Sequence, residues 1–326
     1  MENVLSLALN NLLSPIILSF ALGLFAALAR SELTIPEAVA KGLSIYLLFA
    51  IGFKGGVAVT KNGLDATLIM TLMAGLVLSA LLPLLAFALL RTLTKLDTVN
   101  AAAVAGHYGS ISIVTFVAGT SVLESSGITS EGYMVAVAAV MEAPAILSAL
   151  WLISRGSGGA RMDAGLWREI LLNGSIVLLV GSFFIGMATG QKGLDEIGPF
   201  IVAPFKGVLC LFLLDMGLVA GRGLRQAKGT ITFGLLAFGI VMPLASSVIG
   251  LAMGAAIGLS LGGIVLLMVL CASASYIAVP AAMRVAVPEA DPAIYLTLSL
   301  GVTFPFNLTV GIPLYLALAT MFSGAA

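Results

Sequence analysis

Residues 107–116 read HYGSISIVTF, and this polar stretch interrupts a segment that is otherwise apolar enough to cross a membrane. Gly106 and Gly109 precede its two serines, so the backbone there is small and flexible. An unpaired backbone group in hydrocarbon costs several kcal/mol, so a membrane helix can break only where protein or water lines the break. The stretch therefore predicts a broken membrane helix beside a polar cavity.

The composition of the chain is that of an integral membrane protein. Of its 326 residues, 60% are hydrophobic and only 9% are charged. Lys plus Arg and Asp plus Glu number 15 each, so no basic surface predicts binding to nucleic acid. The two cysteines, Cys210 and Cys271, lie in apolar runs, where cysteine is typical of helix packing. We predict an all-α integral membrane fold.

Ten apolar segments along the chain are long enough to span a bilayer as helices. They are predicted at 14–29, 38–59, 65–90, 99–121, 131–154, 168–190, 198–221, 230–257, 261–285 and 292–321. The connections between them are short and rich in turn-forming residues. None of these connections is long enough for a separate soluble domain.

Basic residues set the predicted orientation, because loops rich in Lys and Arg stay in the cytoplasm. With ten spans, one face receives Arg30, Arg91, Lys95, Arg155, Arg161, Arg168, Arg222, Arg225, Lys228 and Arg284. Lys61 and Lys192 fall in connections on the opposite face. An even number of spans then places both termini outside the cytoplasm. The segment before the first span has no basic residue, which argues against a signal peptide and for a retained first span.

The two halves of the chain resemble each other at a shift of about 163 residues. Three blocks correspond in order: AIGFKGG (50–56) with DMGLVAG (215–221), GSISIVTF (109–116) with ASASYIAV (272–279), and MEAPAIL (141–147) with TFPFNL (303–308). Each half holds five spans, an odd number, so the second half must insert upside down. We predict two inverted five-helix repeats, 1–154 and 168–326, joined by a cytoplasmic linker at 155–167.

The repeat predicts a second broken helix, in span nine. The serine-rich run at 272–279 matches 109–116 in span four. Broken helices present free N–H groups and about half a positive charge at each helix N-terminus, which favours a small anion. Serine hydroxyls and freed carbonyls are suitable ligands for Na⁺. Serine and glycine clusters also occur at ordinary helix contacts, but two clusters at repeat-equivalent positions favour a central binding site.

Several ionisable residues fall inside predicted spans, where they are costly unless they face protein or water. Lys54 and Asp215 lie in repeat-related segments, and we predict a structural charge pair between them. Glu142 in span five is a candidate Na⁺ ligand or proton relay, with a hydrogen bond to a neighbouring helix as the alternative. Thr303 and Asn307 add neutral oxygen ligands from the second half.

Two further ionisable residues receive other interpretations. His107 is the only histidine, so we expect no metal cluster around it. We interpret it as a polar contact beside the site, with a proton carrier as the alternative. Lys206 lies near the predicted outer interface, where its long side chain can reach water.

Five stretches resemble the sodium-dependent bicarbonate transporter family, of the SbtA type known from cyanobacteria. They are IGFKGGVAV (51–59), GSISIVTF (109–116), MEAPAIL (141–147), CASASYIAVPAAMRVAVPEADPAIYL (271–296) and GVTFPFNLTVGIPLYL (301–316). The resemblance covers almost the whole chain. It implies ten spans in an inverted repeat, with a core of spans three to five and eight to ten that moves like an elevator against a gate of spans one, two, six and seven. It also implies a homotrimer that holds Na⁺ and bicarbonate where spans four and nine cross.

The resemblance also assigns residues to the ligands. The implied substrate shell is Gly109, Ser110, Ile111, Ser112, Ser273, Ala274, Ser275 and Tyr276. The predicted cation ligands are Ser112, Glu142, Ser275, Thr303 and Asn307. Two positions depart from the cyanobacterial pattern, which has Asp in place of both Tyr276 and Glu142. A PII-like SbtB regulator is a further implied partner, although the linker at 155–167 is shorter than that of the cyanobacterial proteins.

These features predict a secondary active transporter of the bacterial inner membrane that takes up bicarbonate with Na⁺ by alternating access. No cofactor is expected, and Na⁺ is the coupling ion. The alternative keeps the fold and changes the solute to another small monocarboxylate, coupled to Na⁺ or to protons at Glu142. An enzyme is not expected, because the lone His107 and the scattered serines have no spacing that pairs a nucleophile with a base.

Overall fold

The computed structural model describes residues 13–62, 66–157, 168, 172, 174–226 and 232–323, and within these residues the chain is helical, with no strand. The first half contains α1 (Pro15–Leu28), α2 (Glu37–Asn62), α3 (Ala66–Leu93), α4 (Thr98–Gly109), α5 (Ile113–Ser125), α6 (Met134–Val140) and α7 (Ala143–Ser157). The second half contains α8 (Gly174–Ile201), α9 (Phe205–Gln226), α10 (Phe233–Ile257), α11 (Leu261–Ala272), α12 (Ala278–Ala286) and α13 (Pro292–Leu296). The last span continues as π-helical Thr297–Thr303, α14 (Phe304–Phe306), π-helical Asn307–Gly311 and α15 (Ile312–Phe322).

Eight helical segments of the described residues are long and apolar enough to cross a membrane. They include α4 with α5, α6 with α7, and the whole of Pro292–Phe322, each counted as one segment. Two shorter apolar helices, α1 and α11, lie in predicted spans one and nine. The all-helical membrane class is therefore confirmed, whereas the count of ten spans stays a prediction.

The segment that holds the polar stretch is enclosed by protein. The whole apolar window of Thr98–Ser125 is buried, compared with 22% of the window of Ile176–Ile201. Backbone groups at a helix break cannot be left in lipid. The burial of the broken segment is therefore what the sequence of this stretch requires.

Close contacts join α2 to α8 and α1 to α9. A Cβ added to Gly52 of α2 would collide with Leu179 and Ser182 of α8. A Cβ added to Gly217 of α9 would collide with the Phe20 carbonyl of α1. Gly52 and Gly217 are matched positions of the two halves, and small residues allow membrane helices to approach closely. Both contacts therefore join a helix of the first half to a helix of the second, and each half contributes one of the matched glycines.

The boundary between predicted spans six and seven differs from the structure. We predicted these spans at 168–190 and 198–221, but α8 continues to Ile201 and α9 begins at Phe205. A break inside α8 falls at Gly190, with φ 59° and ψ −150°. A side chain would disfavour this backbone conformation, so glycine permits the chain to turn there.

The second part of α8 folds back along α2. Gly190 lies beside Thr60, near the end of α2, whereas the Phe200 carbonyl accepts a hydrogen bond from the Tyr46 hydroxyl, in the first half of α2, at 2.6 Å. This return depends on tertiary contacts with α2. The local sequence, with its turn residues after Gly190, predicted a simple connection instead.

Two prolines disrupt helices that accompany the broken ones. α6 ends at Val140 and α7 begins at Ala143, next to Pro144. Pro305 lies in α14, between two π-helical segments. Proline lacks an N–H and clashes with the preceding turn, so it removes one helical hydrogen bond and favours a kink or a break. The gap before Pro144 leaves Glu142 in irregular backbone.

Parts of the predicted organisation lie outside the described residues. The predicted linker at 155–167 is described only where α7 ends. Arg161 and Lys228, two of the basic residues predicted to face the cytoplasm, also lie outside the described residues. The division into repeats at 1–154 and 168–326 therefore stays a prediction.

Candidate functional site

Both serine-rich stretches break their helices. The first break separates α4 from α5, and the second separates α11 from α12. The residue that follows each first half-helix is a serine in extended backbone, with φ −81° and ψ 167° for Ser110 and φ −82° and ψ 161° for Ser273. Two positions that the sequence comparison matched therefore adopt the same conformation.

Hydrogen bonds join the two breaks directly. The Ser275 amide donates to the His107 carbonyl at 2.7 Å, and the His107 ring nitrogen Nδ1 lies 2.7 Å from the Ser275 carbonyl. The Ser112 amide donates to the Ser273 hydroxyl at 2.9 Å. Each break thus satisfies backbone groups that the other leaves free. The structure brings predicted substrate residues of both halves to one crossing.

Three of the four predicted serine hydroxyls at this crossing stabilise helix ends. The Ser112 hydroxyl caps the first turn of α5. The Ser273 hydroxyl donates to a carbonyl in the last turn of α11 at 2.9 Å, and the Ser275 hydroxyl accepts from an amide in the first turn of α12 at 3.4 Å. The Ser110 hydroxyl is buried and has no hydrogen-bond partner in the part of the chain that the structure describes. It is therefore available to a ligand.

Other buried polar atoms of the described residues also lack a partner. They are Thr115 Oγ1, Tyr276 OH, His107 Nε2 and Glu142 Oε2. Buried polar atoms nearly always have a partner, so these atoms indicate a place for a ligand, an ion or water. The Tyr276 hydroxyl is close enough to the Ser112 side chain to interact, but without normal hydrogen-bond geometry.

Thr115 was not among the predicted site residues. It lies in the first turn of α5, and its amide donates to the Ser112 hydroxyl at 3.2 Å. Ser112 is the residue that caps α5, so this hydrogen bond places Thr115 beside the first break. A hydroxyl residue three positions after a capping serine is the sequence signal that would have identified it.

The remaining residues of the predicted substrate shell, Gly109, Ile111 and Ala274, have no polar side chain. A Cβ added to Gly109 would collide with Pro83 of α3, so glycine permits the broken helix to pack against that proline. Ile111 and Ala274 are buried apolar residues. These residues determine the size of the site and leave hydrogen bonding to others.

An aromatic row connects the second break to α1. The Tyr276 ring meets Phe304 edge to face at 5.4 Å, and Phe304 meets Phe20 of α1 edge to face at 5.3 Å. Edge-to-face contacts at this distance are favourable for aromatic rings. The predicted gate therefore contacts the crossing through an apolar wall.

Thr303 and Asn307, two predicted cation ligands, already have partners in the protein. The Thr303 hydroxyl donates to the Gly239 carbonyl at 2.7 Å and lies 2.6 Å from the Tyr108 hydroxyl. The Asn307 amide donates to the Ala272 carbonyl, at the end of α11, at 2.8 Å. In this structure the Asn307 side chain supports the second break, whereas the Thr303 side chain joins α10 to α4.

Glu142 takes no part in these bonds. Its Oε2 atom is buried without a partner, and the neighbouring Met141 carbonyl accepts a hydrogen bond from Ser79 of α3. Within the described part of the chain, no hydrogen bond joins the Glu142 carboxylate to Thr303 or Asn307. The predicted cation ligand Glu142 is therefore not hydrogen-bonded to the predicted ligands Thr303 and Asn307.

The predicted charge pair between Lys54 and Asp215 is wrong. The Lys54 ammonium lies 3.3 Å from the Glu124 carboxylate at the end of α5 and 5.2 Å from the centre of the Phe205 ring. In the described residues no ion pair joins Lys54 to Asp215. A long lysine side chain can reach a partly exposed carboxylate, which costs less than pairing inside the protein.

His107 connects the two breaks from a fully buried position. Its ring stacks on Tyr295 with 4.5 Å between ring centres. A carbonyl can only accept, so the short contact with Ser275 requires the proton on Nδ1 and leaves Nε2 as the atom without a partner. This geometry fits the interpretation of His107 as a polar contact beside the site.

The family model for the Na⁺-dependent bicarbonate transporter superfamily matches residues 15–320, which include both breaks and every predicted site residue. No curated protein matches the chain. The matched range is nearly the whole sequence, and the helices are apolar enough to cross a membrane. The chain therefore belongs to the Na⁺-dependent bicarbonate transporter superfamily, whose members are multi-pass membrane transporters.

Proposed function

We propose that this protein takes up bicarbonate together with Na⁺ by alternating access, as a secondary active transporter. The observation that carries the proposal is the crossing of two helix breaks, where buried hydroxyls of Ser110, Thr115 and Tyr276 have no hydrogen-bond partner among the described residues. Membership of the superfamily supports Na⁺ and bicarbonate as the solutes. The role of the crossing is our inference.

The chemistry of the crossing suits a small oxyanion. Hydroxyl groups can donate to the anion, and the N-terminus of α5, capped by Ser112, adds a partial positive charge. Bicarbonate also carries one O–H group, which can donate to a carbonyl freed by a break. Tyr276 offers a neutral donor where the cyanobacterial pattern has a carboxylate, so it adds no negative charge beside the anion.

We place the coupling ion near Glu142, whose buried carboxylate oxygen has no partner. Ser112, Ser275, Thr303 and Asn307 remain its proposed neutral ligands. Thr303 and Asn307 would have to exchange hydrogen bonds within the protein for contacts to Na⁺. Binding of Na⁺ would then alter the support of α11, which offers a physical link between the ion and the anion site.

Energetics limits what one Na⁺ can do. Symport of one Na⁺ with one bicarbonate moves no net charge, so the membrane potential does not drive it. A tenfold Na⁺ gradient then supplies about 1.4 kcal/mol, enough for about tenfold accumulation of the anion. Stronger accumulation requires more than one Na⁺ per bicarbonate.

The proposed architecture is the ten-span inverted repeat of a homotrimer, with both termini outside the cytoplasm of a bacterial inner membrane. A core of spans three to five and eight to ten moves against a gate of spans one, two, six and seven. The matched caps at Ser110 and Ser273 and the matched close contacts at Gly52 and Gly217 support the repeat. A PII-like SbtB regulator remains a proposed partner.

A second candidate function is a carrier for another small monocarboxylate, coupled to Na⁺ or to protons at Glu142. The aromatic row of Tyr276, Phe304 and Phe20 favours it, because an apolar wall beside the crossing could contact a methyl or similar group. Competition between bicarbonate, acetate and larger carboxylates for binding to purified protein distinguishes the two candidates.

Uptake of labelled bicarbonate into proteoliposomes tests the first candidate. We expect uptake to collapse when external Na⁺ is replaced by K⁺ or choline, because the anion then lacks its coupling ion. Liposomes without protein provide the background. Equal uptake in Na⁺ and choline would contradict Na⁺ coupling.

A further inference from the structure

A cavity of about 360 Å³ lies between α1, α5 and α9, beside the last predicted span. Ser14, Ser121, Lys206 and Cys210 line it, and Leu308 belongs to its wall on the last span. The volume is sufficient for a small anion with water around it. We call this cavity the vestibule.

The vestibule leads towards the crossing of the two breaks. Along α5 it extends from Ser125 to Ala118, and Ala118 lies six residues, about 9 Å along the helix, from Ser112. On the opposite wall Leu308 directly follows Asn307, whose side chain holds the end of α11. Along α5 the vestibule therefore covers about half of the distance from Ser125 to the proposed site at Ser112.

The charge of the vestibule favours anions. Among its lining residues in the described part of the chain, Lys206 is the only charged one, and it has no ion pair or hydrogen bond there. Lys54, at a neighbouring cavity, is neutralised by Glu124. A cleft with apolar walls and one uncompensated positive charge concentrates anions from solution.

We infer that the vestibule is the entrance for the transported anion and that Lys206 attracts it there. The inference rests on the proposed function for the identity of the anion, but its electrostatic part does not depend on transport. Cys210 lies four residues after Lys206 on α9, so the two side chains share one helix face with about 5–6 Å between their Cβ atoms. The Cys210 thiol can therefore report the potential beside Lys206.

Thiol labelling tests this electrostatic part. In a Cys271→Ala background, Cys210 is the only thiol of the protein. A negatively charged methanethiosulfonate and a positively charged one are each added, in separate experiments, to the outside of intact cells. We expect both reagents to label Cys210, and the rate ratio of the anionic to the cationic reagent to fall about threefold in Lys206→Gln. Lys206→Arg should keep the ratio, and Lys192→Gln, which removes an exposed lysine from outside the vestibule, should leave it unchanged.

Two outcomes of the labelling would overturn the inference. They are an unchanged rate ratio in Lys206→Gln, and labelling of Cys210 only from the cytoplasmic side, measured in inverted vesicles. The Cys210→Ser variant lacks the labelled thiol and therefore measures how much reagent reacts with other groups.

Transport separates failure of this inference from failure of the proposed function. In proteoliposomes we expect Lys206→Gln to raise the KM for bicarbonate about threefold at low ionic strength while the maximal rate is kept. An unchanged KM contradicts the role of Lys206. Absence of bicarbonate uptake by the unaltered protein, together with the expected labelling ratios, would refute the proposed substrate and leave the vestibule supported.

Discussion

The two helix breaks share their backbone conformation but differ in how their serines are used. At the second break the Ser273 hydroxyl both accepts from the Ser112 amide and donates to a carbonyl of α11. At the first break the matched Ser110 hydroxyl has no hydrogen-bond partner among the residues that the structure describes. The repeat-equivalent serines therefore differ in role: Ser273 holds the crossing together, whereas the unpaired hydroxyl of Ser110 is the one that we propose binds the solute.

The largest effect is expected at Ser110. Ser110→Val replaces the free hydroxyl with a methyl group and adds a second methyl, so we expect bicarbonate uptake to fall to the level of protein-free liposomes. Ser110→Thr keeps the hydroxyl and is the matched control, with measurable uptake expected. Transport by the valine variant at the normal rate would show that this hydroxyl does not contact the solute.

A smaller effect is expected at the second break, where Tyr276 is the residue with a free hydroxyl. Tyr276→Phe keeps the edge-to-face contact with Phe304 and removes one donor to the anion. A hydrogen bond to a charged group contributes about 1.5–3 kcal/mol, so the Kd for bicarbonate should rise about tenfold or more. Isothermal titration calorimetry measures this Kd. An unchanged Kd would mean that the Tyr276 hydroxyl does not contact bicarbonate and that only the first break binds it.

Stability distinguishes the two serines. Ser273→Ala leaves the Ser112 amide without its acceptor, which should lower the free energy of unfolding by about 1–3 kcal/mol. Ser110→Ala removes a buried hydroxyl that has no partner, so the melting temperature should stay the same or rise slightly. Thermal unfolding in detergent compares the two variants, and equal losses would contradict the division of roles.

The smallest effect is expected outside both breaks. Lys54→Gln removes a partly exposed ion pair with Glu124, and such pairs contribute about 0–1 kcal/mol. A double-mutant cycle with Glu124→Gln, followed by thermal unfolding, measures the coupling. A coupling as large as the loss in Ser273→Ala would mean that the contact between α2 and α5 stabilises the protein as much as the crossing does.

The sequence predicted the breaks because their cause is local. Serine and glycine in an otherwise apolar segment conflict with lipid, and the match between Ser110 and Ser273 was visible as a shift along the chain. The sequence matched Pro144 with Pro305 but did not predict the disruption of their helices, because proline alone does not specify a break: Pro83 lies inside the continuous α3.

The contacts that the sequence did not predict depend on distant segments. Glu124 lies between predicted spans four and five, outside the apolar segments, so the apolar pattern could not predict its pairing with Lys54. The return of α8 after Gly190 depends on α2, and the bonds of Asn307 depend on the end of α11. Each of these contacts joins residues that lie far apart in the sequence, and no local preference specifies the partner.

The most direct test of the crossing as the binding site is a cryo-EM map of the protein in lipid with Na⁺ and bicarbonate, compared with a map without bicarbonate. We predict added density within hydrogen-bond distance of Ser110 Oγ and Tyr276 OH that is absent from the map without bicarbonate. Identical maps at the crossing, with bicarbonate density elsewhere in the protein, would contradict the account.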